Sequence, residues 1–375
     1  MKKIITSIFI LAIAVITYAV PAKRGWQTYT QPDGTTIEIQ TLGDEFYHYT
    51  INRDGNEVRL NTNGFYETIG LAPQPQQAQA RRTVAKQRRQ PAAFGTTPNL
   101  APKGVVILAN FADAQMNDAN TLAVFDELCN STNCTVNKYK NINYPSAAQY
   151  FADQSNGTYR PQFDVYGPVT LSKNCAYYGG NDANGNDKYA ADAVIEACKL
   201  ANEQYPQLNF ADYDTDKDGY VDWVYVIYAG KGEADGRDAN TIWPHNWDIY
   251  SAYYFKNCTY PQAEWKVDGK TINTYAMSAE LEGAGTLGGI GTLCHEFGHV
   301  MGLPDLYDTD YSTNYEGVPF NNIMIYYYLP NQSWTYDKAW KRVGNSYPYN
   351  ISNSQIKSLR ESVEKFLVKK GVSIE

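Results

Sequence analysis

His295, Glu296 and His299 lie in the run GTLCHEFGHVMGLPDLYD, residues 291–308. Two histidines four residues apart rise from one face of a helix, one turn above the other. Each can offer an imidazole nitrogen to the same ion, while Glu296 can reach a water activated by that ion as general base. The chemistry this spacing supports is zinc-dependent hydrolysis of a peptide bond. With only four histidines in 375 residues, the pattern arises by chance in well under about 1 in 100 chains of this composition. A buried helix carrying two hydrogen-bonded histidines is the alternative, and it leaves the glutamate and the ordered turn after it unexplained. Gly285, Gly288, Gly289 and Gly291 give a flexible approach, and Gly302 with Pro304 supplies C-terminal stop signals. A left-handed Gly302 would swing the chain back and carry Asp305 toward the metal as third ligand, leaving the fourth position open for water.

The arrangement H-E-x-x-H-x-x-G-x-x-D resembles the long zinc motif of metzincin-like peptidases, with aspartate where many members have a third histidine. More narrowly, HEFGHVMGLPDLYDT resembles the immune inhibitor A family of secreted bacterial metallopeptidases. Four other stretches are similar to that family: YPSAAQYFADQSNG at 144–157, YYGGNDANGNDK at 177–188, DKDGYVDWVYVIYAGKGEADG at 216–236 and NTIWPHNW at 240–247. The resemblance spans roughly residues 100–310. It implies a zincin-type, two-part catalytic domain with zinc at the base of a cleft. It also implies zinc ligation by His295, His299 and Asp305, the general-base role for Glu296, and a propeptide ahead of the enzyme.

The elements around this motif fit export. Residues 1–19 carry Lys2 and Lys3, an apolar run over 4–16, and the small-x-small pattern Thr17-Tyr18-Ala19 of a signal peptide. The apolar run is shorter than the roughly 20 residues a membrane span needs. The expectation is a secreted or extracytoplasmic protein with protein or peptide substrates and no stable membrane association. A formal net charge of −8 argues against a nucleic-acid partner. Oligomeric state is not readable. All six cysteines lie beyond residue 128, and export makes disulfides chemically possible. Cys294 adjoins His295, but neighbours on a helix diverge by about 100° and cannot easily face one ion. It reads as packing.

Between Thr68 and Ala112 there is no acidic residue, yet Arg81, Arg82, Lys86, Arg88 and Arg89 cluster in a Pro, Gln and Ala-rich stretch. Residues 71–98 therefore read as an exposed linker with a processing site that frees a mature enzyme, the plainer alternative being a solvated tether. Upstream, 26–70 alternate apolar and polar positions around the turn signals Pro32-Asp33-Gly34, Asp54-Gly55 and Asn63-Gly64. Residues 20–70 read as a small β-rich propeptide, with a persistent substrate-binding module as the alternative. This segment has no cysteine, which excludes a thiolate latency switch and leaves a carboxylate, His48 or simple obstruction.

Residues 99–345 read as an α+β zincin-like catalytic domain, with strands at 105–111, 161–171 and 221–228 and helices at 146–152 and 190–203. Residues 346–375 read as a C-terminal amphipathic helix, with Ile356, Leu359, Val363, Phe366 and Leu367 on one face. Met324 stands about where metzincin-like enzymes carry a methionine turn. Tyr326, Tyr327 and Tyr328 after it are candidates for oxyanion stabilisation or for aromatic packing.

Between helix and strand lie Asp212, Asp214, Asp216, Asp218 and Asp222, five aspartates that repel one another without a counter-ion. Carboxylates of Asp214, Asp216, Asp218 and Asp222 with the Tyr220 carbonyl can wrap calcium. The twelfth position is Tyr225 rather than glutamate, so the loop departs from the helix-loop-helix calcium hand. Asn181, Asp182, Asn184 and Asp187 form a second, weaker oxygen-rich turn, equally readable as an ordinary loop. His245, among aromatics, reads as a packed core histidine. The leading function is a zinc endopeptidase secreted as a zymogen. The alternative is a catalytically weak, calcium-stabilised extracellular binding protein on the same scaffold.

Overall fold

The computed structural model of the chain describes Ala22, residues 25–87 and residues 101–301, apart from 45, 62, 140–141, 156, 183–184, 236–238 and 283–284. The expectations for the signal peptide, Asn184, Gly302, Pro304, Asp305, Met324, the tyrosines after it and the C-terminal helix lie outside the described residues. No described helix is long and apolar enough to cross a membrane.

The N-terminal module is an antiparallel meander of β1 (Gln27–Thr30), β2 (Thr36–Asp44), β3 (Tyr47–Asn52), β4 (Asn56–Leu60) and β5 (Tyr66–Leu71), paired in sequence order. The three anticipated turns are present, with Gly34, Gly55 and Gly64 at φ of 84°, 77° and 81°, conformations that L side chains rarely adopt. Asp33, Asn52 and Asn61 accept the turn amides on their side chains. The corner between β2 and β3 carried no such signal. Asp44 builds it by accepting the Phe46 and Tyr47 amides on Oδ1 at 3.1 and 3.3 Å.

The basic stretch departs from the exposed linker expected of it. Residues Pro75–Gln87 form helix α1. Proline is suited to a first helical turn, and Ala, Gln and Arg are strong helix formers. Arg82 is buried and pairs with Asp44, while Arg81 reaches the Tyr47 hydroxyl at 2.7 Å. The exposed-linker reading therefore fails at Arg82, because a tertiary partner 38 residues away draws it in.

The larger body begins with β6 (Lys103–Asn110) and α2 (Leu122–Asn130), then the short pair β7 (Lys138–Tyr139) and β8 (Ile142–Asn143). Next come α3 (Ala147–Gln154), β9 (Gln162–Thr170), α4 (Cys175–Gly179), α5 (Ala190–Gln204) and β10 (Val224–Lys231). Beyond them lie β11 (His245–Asp248), α6 (Ile249–Tyr254), the short pair β12 (Lys266–Val267) and β13 (Lys270–Thr271), β14 (Thr274–Glu282), β15 (Thr286–Leu287) and α7 (Ile290–Val300). The main sheet runs β11-β14-β10-β6-β9, parallel throughout except for the antiparallel edge strand β11. Val224 faces Val105 on one side and Tyr275 on the other.

Strands β6 and β10 are buried almost end to end, as expected when helices cover both faces of a parallel sheet. Helix α3 packs on α2 and on α7, and α4 packs on α5. Within the described residues, the strands anticipated at 105–111, 161–171 and 221–228 and the helices at 146–152 and 190–203 appear, with ends shifted by a few residues. Ser146 caps α3 by accepting the Gln149 amide. Helix α7 lies against β14 and the edge strand β11.

Candidate active site

Helix α7 starts at Ile290 from Gly289, placing Gly291 inside the helix rather than in the approach to it. Phe297 anchors its back. The ring lies 5.3 Å from Phe151, 5.1 Å from Phe163 and 4.8 Å from Trp223, each near edge-to-face. Those partners come from α3, β9 and the start of β10's approach, so one side chain fixes the rotation of the helix. Positions 295 and 299 sit about 160–200° around the helix from Phe297. The anchored back therefore turns both histidines the other way.

His295 and His299 are buried, and their Nε2 atoms stand 3.1 Å apart with the rings nearly perpendicular. Two nitrogens each about 2.0–2.1 Å from one tetrahedral ion would lie ~3.3 Å apart. The pair thus fits a shared metal, and the donor set of two imidazoles beside a carboxylate suits zinc. Glu296 is buried next to them. Beneath it, on β10, the Tyr225 phenol is pushed well above its ordinary value by burial and by the Glu296 carboxylate. Tyr225 had no sequence signal beyond its place in a buried strand. Cys294 is buried and its thiol is raised well above the usual range, chiefly by burial. It packs within the main hydrophobic core.

Two glutamates from β14 brace the site. Glu280 is buried and accepts the Asn117 amide at 2.7 Å, the Asn120 side-chain amide at 2.6 Å and the Gly230 amide at 3.0 Å. It ties the loop after β6 to β10. Glu282 accepts from Thr292 in the first turn of α7. Neither was singled out from the sequence, because β14 itself, TYAMSAELE, alternates too weakly to stand out.

His245 is a core histidine: Nδ1 lies 2.6 Å from the Trp243 carbonyl and Nε2 lies 3.1 Å from the Tyr275 hydroxyl. In the acidic loop, carboxylate oxygens of Asp214, Asp216 and Asp218 come within 4.8 Å of one another. Asp214 Oδ1 is buried with no hydrogen-bond partner among the described residues, and its Oδ2 takes Lys270 at 2.6 Å. Burial would raise this carboxyl, but the bonds from Lys270 and the Gly219 amide hold it below the usual range. Asp222 is not part of this group. Its oxygens accept the Thr215 amide at 3.2 Å and the Thr215 hydroxyl at 2.5 Å, which turns it away from the other three. In the second oxygen-rich turn, Asn181 bridges Asp187 and donates to Glu233 at 2.9 Å.

The profile of the immune inhibitor A peptidase M6 catalytic domain matches residues 101–335. The chain belongs to this family. The immune inhibitor A match takes in the whole main sheet, α7 and the acidic loop, and leaves the N-terminal meander and α1 outside it. Pre-pro-metalloprotease PrtV of Vibrio cholerae is 29% identical over 239 residues, covering 59% of this chain and 24% of its own length. Immune inhibitor A of Bacillus thuringiensis subsp. alesti is 30% identical over 194 residues, covering 47% of this chain and 27% of its own. The chain thus spans about a quarter of the length of these relatives. A metalloprotease catalytic domain implies a resident metal, and within the matched span α7 is where the buried imidazole pair converges.

Proposed function

We propose that this immune inhibitor A family chain is an exported, zinc-dependent endopeptidase acting on extracellular proteins. His295, His299 and Asp305 would hold the metal, and Glu296 would serve as general base. The observation that carries the reading is the 3.1 Å convergence of the two Nε2 atoms beside a buried glutamate. Zinc held there supplies Lewis acidity toward a carbonyl oxygen and lowers the pKa of water toward about 7. Glu296 takes a proton from the attacking water and passes it to the leaving amine. Phe297 and its three aromatic neighbours keep that carboxylate from drifting, since positioning alone accounts for a large share of such rate enhancement.

In this reading the β module is a propeptide, the basic segment of 71–98 holds the processing site, and residues 1–19 direct export. Calcium at Asp214, Asp216 and Asp218 would stiffen the loop before β10. The buried, donor-less Asp214 Oδ1 supports it, since a buried acceptor left unsatisfied is costly.

The test is digestion of a diverse peptide library by protein cut within 81–90, read by mass spectrometry beside a Glu296→Ala control. Chelator-sensitive cleavage absent from the control is the expected result. Silence from the unmutated protein with zinc bound would sink the peptidase and favour the calcium-stabilised binding scaffold.

A further inference from the structure

The corner between β2 and β3 is seated on the catalytic body. The His48 imidazole stacks on the Trp243 indole, with centroids 4.3 Å apart and planes 22° apart. Its Nε2 lies 3.4 Å from Glu233 Oε1, and both side chains are buried. Phe46, two residues earlier, meets Trp247 at 5.5 Å. Ala22 joins Ala234 and Trp243 in a small apolar cluster and donates its amide to the Gly43 carbonyl. On the body side the pocket is built from the 3-10 turn Glu233–Asp235, the loop carrying Asn181 and Asp187, and the segment entering β11. Glu233 Oε2 and Asp187 Oδ1 are buried with no hydrogen-bond partner among the described residues. An aromatic face beside buried carboxylates is a site for a cation.

We propose that Glu233, Asp187 and the face of Trp243 form a pocket for a protonated basic side chain, that His48 occupies it, and that retention of the N-terminal module on the catalytic body therefore depends on pH. The immediate partner is a named segment of this chain, and the pocket's chemistry does not require the peptidase reading.

The groups that face His48 set the sign. Glu233 approaches from the 3-10 turn, and Asp187 and Asp182 come from the loop before α5. Asp44 lies in its own corner, with its carbonyl 3.1 Å from His48 Nδ1 and its carboxylate paired to Arg82 of α1. His245 of β11 lies 3.8 Å from Asp187 on the far side. Burial would lower the imidazole's value, but Glu233 and Asp44 more than offset it, and His48 is held above its ordinary value of 6.5. Asp187 is pushed well above the usual carboxylate range by burial, with Glu233 adding to it. Of the two, His48 is the group whose raised value depends on a partner across the module boundary, so it binds its proton more tightly when docked. Docking is therefore fully supported below the free imidazole's value and lost as pH rises through the higher, docked value.

The experiment uses the full chain carrying Glu296→Ala, so that its outcome is separate from catalysis, with an orthogonal protease site inserted within 90–98. After cutting there, module and body are followed by size-exclusion chromatography between about pH 5.5 and 8.5, the range in which histidine titrates. The apparent Kd is expected to rise by up to about tenfold per pH unit between the free and the docked His48 values, and to level off above the docked one. Glu233→Gln should weaken binding at low pH and flatten the profile, and His48→Phe should keep stacking but abolish the pH dependence. With four histidines in the chain, NMR can follow His48 directly, and its midpoint should fall toward the free value in Glu233→Gln. Binding that ignores pH, a module that separates at every pH, or a Glu233→Gln profile matching the parent would each overturn the proposal.

Discussion

Thr292 donates its hydroxyl to Glu282 Oε1 at 3.1 Å, joining the end of β14 to the first turn of α7. Burial pushes the Glu282 carboxyl up to about 7, against the opposing bonds from Thr292 and the Gly289 amide. A carboxyl raised on folding favours the folded state at low pH, and that contribution drains away between the ordinary value of 4.5 and about 7. Denaturant titrations across this window should show stability falling as pH rises. In Glu282→Gln that part of the slope should vanish, and an unchanged slope would mean the carboxylate is already ionised in the fold.

Metal retention and catalysis should separate cleanly on α7. His299→Ala is expected to lose bound zinc as measured by elemental analysis. Glu296→Gln should keep zinc stoichiometry while peptide hydrolysis drops by about 10²–10⁴-fold, the usual contribution of a general base. Loss of zinc in the glutamine variant would assign Glu296 to the metal instead.

The aromatic anchor can be weighed by truncation. Phe297→Ala leaves a cavity among Phe151, Phe163 and Trp223 and should cost about 3–5 kcal/mol in a denaturation midpoint. Phe297→Leu should cost less. A near-neutral alanine variant would show that α7 is held mainly by other contacts.

Calcium should raise the melting temperature progressively with its concentration, by the equivalent of about 2.7 kcal/mol at a hundredfold excess over Kd. Asp216→Asn should remove most of that response, while Asp222→Asn should not, because Asp222 is engaged by Thr215. Equal responses in both variants would dissolve the assigned ligand group.

Much of this was readable because it is local. The runs at β6 and β10 are β-branched and apolar, and the H-E-x-x-H spacing forces its own geometry. What escaped depends on partners remote in sequence. Residues 71–98 were read by composition and charge as an exposed linker, although Ala, Gln and Arg also favour helix and Arg82 meets Asp44 only in the folded chain. The same holds for His48, whose partner Glu233 lies across the module boundary. Asp222 stands apart from the group of three because alternation places a side chain near a loop without saying which neighbouring hydroxyl will engage it. The third ligand proposed for zinc, Asp305, lies outside the described residues.

The helical state of 75–87 also makes processing a question of local opening. Proteases engage extended backbone, so a cut within α1 requires the helix to unwind first, and with it the Arg82 guanidinium must leave Asp44. When opening and reclosing are fast, cleavage follows the small population of unwound chain rather than the protease's own speed. Were the proposed processing to fall inside α1, the fold would supply a clock, with the stability of the helix and its buried ion pair setting how long the chain stays whole.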